Sequence, residues 1–356
     1  MFQQALAAEG CPPAHVVSYL ELLRDGVERL AELPDEPALV RIDSAGEDFE
    51  VERQLLRLGY EDAVAAGVST IEPHAVEALK YDLGRILCPR QAHLGFVRLL
   101  GRLERVLAEK RTWRLLNRPA AIVELFDKRI TSRRYGEAGI PVPEALQDVQ
   151  RVEQLREQVR ERGWSSVFVK LSCSSSASCL AVYHLRGRQE SAMTTTEMTP
   201  GAWYNSLKVR QVTGERLRQL LGFLLREGSQ VERHVPKARL GGAFFDCRVL
   251  VVAGEPAFTV VRQNRHPITN LHLGGYRGDL DALSAQLRPG ALERAMDSCR
   301  AVARLHDSFQ LGVDLMYEPG LEQHRVLEAN AFGDLLPNLT RDGLSVYQWQ
   351  VRQALH

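Results

Sequence analysis

The sequence predicts a mixed α/β protein built from more than one packed unit, and three observations carry that expectation. Short apolar strands alternate with amphipathic helices, from PALVRI at 37–42 and FEVERQLLRLG at 49–59 to VFVKL at 167–171 and RLRQLLGFLLREG at 216–228. In the second half the strands come in pairs, CRVLVVAG and PAFTVVRQ being separated by Glu255 alone. The length of 356 residues exceeds one average domain and suits two or three.

The elements follow in order. Residues 2–9 (FQQALAAE) have helical character, and AHVVSYLELL at 14–23 reads as a strand running into a helix. PALVRI is a strand, DSAGED a turn and FEVERQLLRLG an amphipathic helix. From 75 to 110 the pattern is helical on both sides of Pro89, which should break or kink it. AAIVELFDKRITSRRYGEA at 120–138 reads as one helix and GIPVP as its extended exit. VEQLREQVRERG is a charged helix, SSVFVKL a strand and LAVYHL its antiparallel partner. After the helix at 216–228, QVERHV, CRVLVVAG, PAFTVVRQ, GVDLMYE and VLEANA are strands, with ALERAMDSCRAVARLH a helix among them. A parallel unit usually opens on a strand, yet this chain opens on a helix, so the first strand of that unit is expected to be missing. The expected units are 1–115, 116–212 and 213–356.

Composition narrows the function classes. Lysine plus arginine (45) equals aspartate plus glutamate (45), so general attraction to nucleic acid or an anionic membrane is not expected. No apolar run approaches the roughly 18 residues of a spanning helix. The opening MFQQALAAEG lacks a basic segment before an apolar one, and a cytoplasmic location is expected. Six cysteines without a CxxC favour reduced thiols over a disulfide framework or zinc site, and Cys173 and Cys179 suit small loop fillers, with a redox pair as the alternative.

Three constellations can carry chemistry. Lys128 follows Asp127, and Lys170 ends an apolar strand before the small-residue run 172–178, which includes Ser174, Ser175 and Ser176. Ammonium groups suit phosphate, and small residues let backbone N–H groups approach it, although each lysine taken singly also suits a solvated surface. Asp314, Glu328 and Asn330 lie on neighbouring strands, and the i, i+2 spacing puts Glu328 and Asn330 on one face. Their hard oxygen donors favour Mg²⁺, which takes few protein carboxylates and completes its shell with water and phosphate. Arg248, Arg262, Asn270 and the pair Gly274-Gly275 form the third set, the arginines suited to charge that develops in phosphoryl or acyl transfer. His266 and His272 lack a third ligand nearby, so zinc carries little weight. Arg41, Asp43 and Ser44, between a strand and a helix, sit where α/β proteins tend to bind substrate, and Asp43 or Ser44 equally suits a capping turn.

FDKRITSRRYGEAGIPVP, VFVKLSCSSSASCLAV, VERHVP, DCRVLVVAGEPAFTVVR, TNLHLGG, GVDLMYE and VLEANAFGD, in this order, resemble the ATP-grasp superfamily. The likeness covers about residues 111–340 and is strongest to the RimK-type and glutathione-synthetase-like carboxylate–amine ligases. It implies two subdomains clasping ATP after a small α/β amino-terminal domain. It also implies nucleotide contacts from Lys128, Lys170, Ser174, Ser175 and Ser176, and from the linker residues Glu232, Arg233 and Val235 at the adenine edge. By the same resemblance Asp314, Glu328 and Asn330 are magnesium ligands, with Mn²⁺ as an alternative ion, and Arg248, Arg262 and Asn270 attend the γ-phosphate and acyl phosphate. The flap departs from the family in carrying serine, alanine and cysteine where glycine is usual.

The reaction so implied is ATP-dependent joining of a carboxylate, on a small molecule or a peptide, to an amine, by a chain that is monomeric or oligomeric. A small-molecule kinase, a nucleotide-binding protein without turnover, and a peptide-modifying ligase that needs a presenting partner remain open alternatives on the same fold.

Overall fold

The computed structural model describes residues 1–173, 179–269, 271, 274–332 and 338–355, the side chain of Leu207 excepted. The amino-terminal region is mostly helical. Its one parallel strand pair joins Ala38–Val40 to Trp113–Leu115. Among the described residues no strand forms at 14–18, where one was expected. Ser18 instead caps the helix Tyr19–Asp25, its hydroxyl accepting from the Glu21 amide while the Glu21 carboxylate accepts from the Ser18 amide.

Pro89 also departs from expectation. It starts the 21-residue helix Pro89–Glu109 instead of kinking one, because a proline at the first helical position gives up an N–H that would have no helical partner anyway. The segment before it holds only the short helix Pro73–Glu77 and the strand Arg85–Ile86. The single helix expected at 120–138 is two, Pro119–Phe126 and Lys128–Glu137. Asp127 breaks it with an extended ψ of 99° and caps the second helix, its carboxylate accepting from the Arg129 amide at 3.0 Å. The break makes Lys128 the first residue of a helix.

Two antiparallel sheets follow. The seven-stranded sheet runs Arg85–Ile86, Ala202–Val212, Gln189–Thr199, Leu180–Arg186, Ser166–Leu171, Ser229–Arg233, Ala145–Leu146. The strand Gln189–Thr199 was not anticipated. Its polar sequence QESAMTTTEMT masks a threonine-rich run suited to a pleated surface. In Ser166–Leu171 the alternation is strict: Val167, Val169 and Leu171 enter the core under the helices Val152–Glu161 and Gly214–Arg226, so Phe168 and Lys170 face the other way. The helix Gly214–Arg226 and strand Ser229–Arg233 belong to this layer although they follow residue 212.

The second sheet runs Tyr276–Arg277, Glu255–Asn264, Ala243–Val252, Gln310–Tyr317, His324–Asn330, with Arg239–Leu240 paired at its side. Phe245, Cys247, Val249, Val313 and Leu315 pack into the core that Ala295, Cys299 and Val302 of the helix Ala291–Leu305 complete. The same period of two sends Asp246, Arg248, Asp314 and Met316 to the opposite face. No helix among the described residues is long and apolar enough to cross a membrane.

Candidate functional site

The free faces of the two sheets meet over a cavity of about 830 Å³. One wall carries Phe168, Lys170, Leu180 and Glu232, and the other Asp246, Arg248, Arg262, Asp314, Met316, Leu327, Glu328 and Asn330. Arg233, Val235 and Lys237 line the linker side, and Lys128 enters from the helix that Asp127 starts.

Charges in the cavity are paired across the elements that bring them. Lys128 Nζ lies 3.4 Å from Glu328 Oε2, and Lys170 bonds to the buried Glu232 carboxylate. Asp314 is held from two sides, by Arg248 through Nε and through Nη2 at 2.9 Å, and by Arg262 Nη2 at 3.1 Å. Asp246 accepts from Arg262 Nε at 2.7 Å, from Lys237 Nζ at 3.0 Å and from the Thr269 hydroxyl. Seven lysines and arginines against five acidic side chains line the whole cavity, so it carries surplus positive charge that an anion would satisfy.

These pairs fix the ionisation states. Burial alone would raise the Glu328 carboxyl, but the ammonium groups of Lys128 and Lys170, with Arg248 and Arg262, outweigh it and hold Glu328 below the usual carboxylate range. Burial opposes the charge on Lys170 too, yet Glu232 and Glu328 raise it above its ordinary value. Asp246 stays well below the carboxylate range because Lys237 and Arg262 overcome its burial. At Lys237 burial wins, and the ammonium titrates lower than usual.

A hard divalent cation fits the Asp314–Glu328–Asn330 corner. Asp314 and Glu328 are direct partners in the antiparallel register, and Asn330 lies two residues on along the same face. A register shift after Asp314 leaves Leu327 as the extra residue of a bulge, so Leu327 and Glu328 both line the cavity. The donors are all oxygens, and Glu328 is held anionic, as magnesium requires. Among the described residues no three His, Cys, Asp or Glu side chains converge as a metal cage, so an ion here would complete its shell with water and ligand oxygens.

The sequence-predicted residues distribute as follows. Lys128, Lys170, Glu232, Arg233, Val235, Arg248, Arg262, Asp314, Glu328 and Asn330 line one cavity. Arg41, Asp43 and Ser44 line its far end, where Arg41 bonds to Asp43 and to Gln350 at 2.8 Å each and its guanidinium lies 4.5 Å from the centre of the Phe2 ring. Gly274 and Gly275 do not line it; they sit in the turn before Tyr276–Arg277. Ser174, Ser175, Ser176 and Asn270 fall outside the described residues. Sequence reasoning missed Lys237, Asp246 and Thr269. Asp246 was within reach of it, because its i, i+2 spacing to Arg248 puts both on one strand face. Nothing local marks Lys237 or Thr269.

No protein-family model and no curated protein sequence matches the chain. Among solved structures it is similar to the ATP-grasp ligase PsnB, complexed with a phosphomimetic variant of a minimal precursor, Mg and ADP. The TM-score is 0.54 at 14% identity, over 99% of this chain and 93% of that one. D-cycloserine synthetase DcsG gives 0.49 at 15% identity over 90% of this chain and 100% of that one. The D-alanine–D-alanine ligase of Bacillus anthracis gives 0.47 at 12% over 90% and 95%. Two antiparallel sheets facing each other over the cavity, matched along nearly the whole chain to PsnB, are the ATP-grasp fold.

Proposed function

We propose that this chain is an ATP- and Mg²⁺-dependent carboxylate–amine ligase working through an acyl phosphate. The observation that supports it is the convergence on one cavity of Lys170 from one sheet, Lys128 from a helix start, and two arginines, three carboxylates and an amide from the other sheet. That set matches a nucleotide triphosphate in charge, and Phe168, Leu180, Met316 and Leu327 supply an apolar wall for a base.

In this reading a substrate carboxylate oxygen attacks the γ-phosphorus, the bond to the β-bridging oxygen breaks, and its electron pair leaves on ADP. The amine then attacks the acyl carbon, loses a proton, and expels phosphate with the C–O electron pair. Lys128 and Lys170 hold the phosphates, and Arg248 and Arg262 stabilise the charge that develops on the transferred group. Asp314, Glu328 and Asn330 would hold Mg²⁺, which supplies charge neutralisation between the phosphates. Catalysis is positioning and electrostatics, so no protein nucleophile is required.

The substrate carboxylate enters from the end lined by Arg41, Asp43 and Ser44. It belongs to a small molecule or to a peptide, and the precursor complexed with PsnB supports the larger of the two. The amino-terminal region supplies that end, and the layers bearing Lys170 and Asp314 act as the jaws.

The test is a screen of carboxylate and amine pairs, acidic peptides included, for Mg²⁺-dependent ADP release, with product masses measured and Glu328→Ala as the blank. A product lighter by one water than the sum of its substrates supports ligation. ADP release with a phosphate gained on a hydroxyl makes the protein a kinase, and no nucleotide binding at all removes the proposal.

A further inference from the structure

Arg262 touches two carboxylates that differ in every other respect. Its Nη2 reaches Asp314, at the corner that fits a cation, and its Nε donates to Asp246, its direct partner across the strand pair. When a cation takes Asp314, the first contact is weakened and the second remains. Asp246 is built to stay: it is 3% exposed, accepts from Lys237 and the Thr269 hydroxyl, and lies on a central strand of its sheet. Thr269 Oγ1 also accepts from Lys237 at 2.8 Å, closing the cluster. One carboxylate between two cations leaves the group one positive charge in surplus, and that surplus faces the cavity.

We propose that Asp246 is a positioning residue for phosphoryl transfer: with Lys237 and Thr269 it keeps the Arg262 guanidinium aimed at the transferring group once Asp314 has turned to the cation. The inference rests on the ligase reading for the identity of that group. Nε tied to Asp246 restrains the guanidinium plane and leaves the Nη2 N–H, which Asp314 holds at 3.1 Å, as a donor that phosphoryl oxygens can take over. Ground-state nucleotide, held by the lysines, would not depend on this aim. The reacting state would.

The test uses the full chain and needs no knowledge of the substrates. Binding of N-methylanthraniloyl-ADP with Mg²⁺ is measured with and without aluminium fluoride, whose planar or square fluoride adduct stands in for the transferring phosphoryl group. Wild type should bind MgADP and tighten on adding fluoroaluminate. Asp246→Asn should bind MgADP within about twofold of wild type while losing roughly tenfold or more of the tightening. Thr269→Val, which leaves Asp246 its two cationic partners, should lose a smaller share, and it decides the matter if Asp246→Asn does not fold. The inference is overturned by full tightening in the variant that folds, by loss of MgADP binding in step with the tightening, or by a wild type that binds MgADP without any tightening. A wild type that fails to bind MgADP removes the nucleotide site itself and so overturns the ligase reading first.

Discussion

Lys128 and Glu328 meet at 3.4 Å, the first residue of one helix against a strand carboxylate far along the chain. The contact exists because Asp127 interrupts the helix before it, and it joins a proposed phosphate-binding lysine to a proposed metal ligand. Glu328 is therefore charged and countered before any ligand arrives, so that a magnesium–nucleotide complex exchanges partners with groups already ionised. Such preorganisation is where electrostatic catalysis gains most.

Glu328→Gln should consequently keep its fold, since an amide still hydrogen-bonds at a position that is 23% exposed. Metal-dependent turnover should fall by roughly a hundredfold or more. In titration calorimetry, chelation with EDTA should weaken ADP binding to wild type and leave binding to the variant nearly unchanged. Equal sensitivity of both proteins to EDTA would move the cation elsewhere.

Lys170 and Glu232 form a different kind of pair, with side chains 16% and 5% exposed. Lys170→Met strands the Glu232 carboxylate in the protein, and removing one member of such a pair costs about 3–5 kcal/mol. Lys170→Met combined with Glu232→Gln should recover most of that loss in a denaturant melt without recovering nucleotide binding. A double variant no more stable than the single one would show that the pair is not energetically coupled.

How much of this was legible beforehand depended on period. Where a strand alternates, the residues of one face follow from the sequence, and Glu328 and Asn330 are found that way; Lys170 stands out by ending an apolar strand beside a small-residue run, and Asp314 by lying on the strand next to Glu328. The motif order gave the fold. The failures were local. Pro89 looks like an interruption of a helix and Asp127 like the middle of one, yet Pro89 starts a helix and Asp127 caps the start of another. The strand Gln189–Thr199 lacks an apolar stripe, so the β-branched chemistry of its threonines was the sole signal. Lys237 and Thr269 stayed invisible because their meaning comes from Asp246, which tertiary pairing alone brings to them.

The amino-terminal helices cross where two glycines touch. A Cβ on Gly59 would sit 2.1 Å from the Gln91 carbonyl oxygen, and one on Gly95 would sit 1.9 Å from that of Leu55, so the helices Phe49–Leu58 and Pro89–Glu109 pack backbone to backbone. Gly95→Ala must push them apart and should cost about 1–3 kcal/mol or more. Gly101 lies in the same helix with nothing within 4 Å of its would-be Cβ. Gly101→Ala should therefore stabilise by up to about 1 kcal/mol through helix propensity. Thermal melts of the two variants should move in opposite directions, and a shared direction would mean that the crossing yields more easily than its backbone contacts imply.

His93 makes stability depend on acid. It lies buried in the helix Pro89–Glu109 against the Phe126 ring, and burial, aided by the nearby Arg90 cation, pushes its imidazole down to about 4. The unfolded chain binds that proton near the ordinary value of about 6.5. The neutral form is thus favoured by the fold, and its contribution is complete above about pH 6.5. Between there and about pH 4 the unfolded state gains a proton that the folded state refuses, so stability falls as pH falls, by on the order of 3 kcal/mol in all, and the loss levels off below. His93→Gln removes the titration and should flatten that part of the curve of unfolding free energy against pH. Because burial also pushes His306 down to about 4 and lowers His184, His234 and His324, some slope should remain in the variant, and replacing His306 as well should flatten it further. An unchanged slope in His93→Gln would mean that the imidazole is accessible to protons in the folded protein.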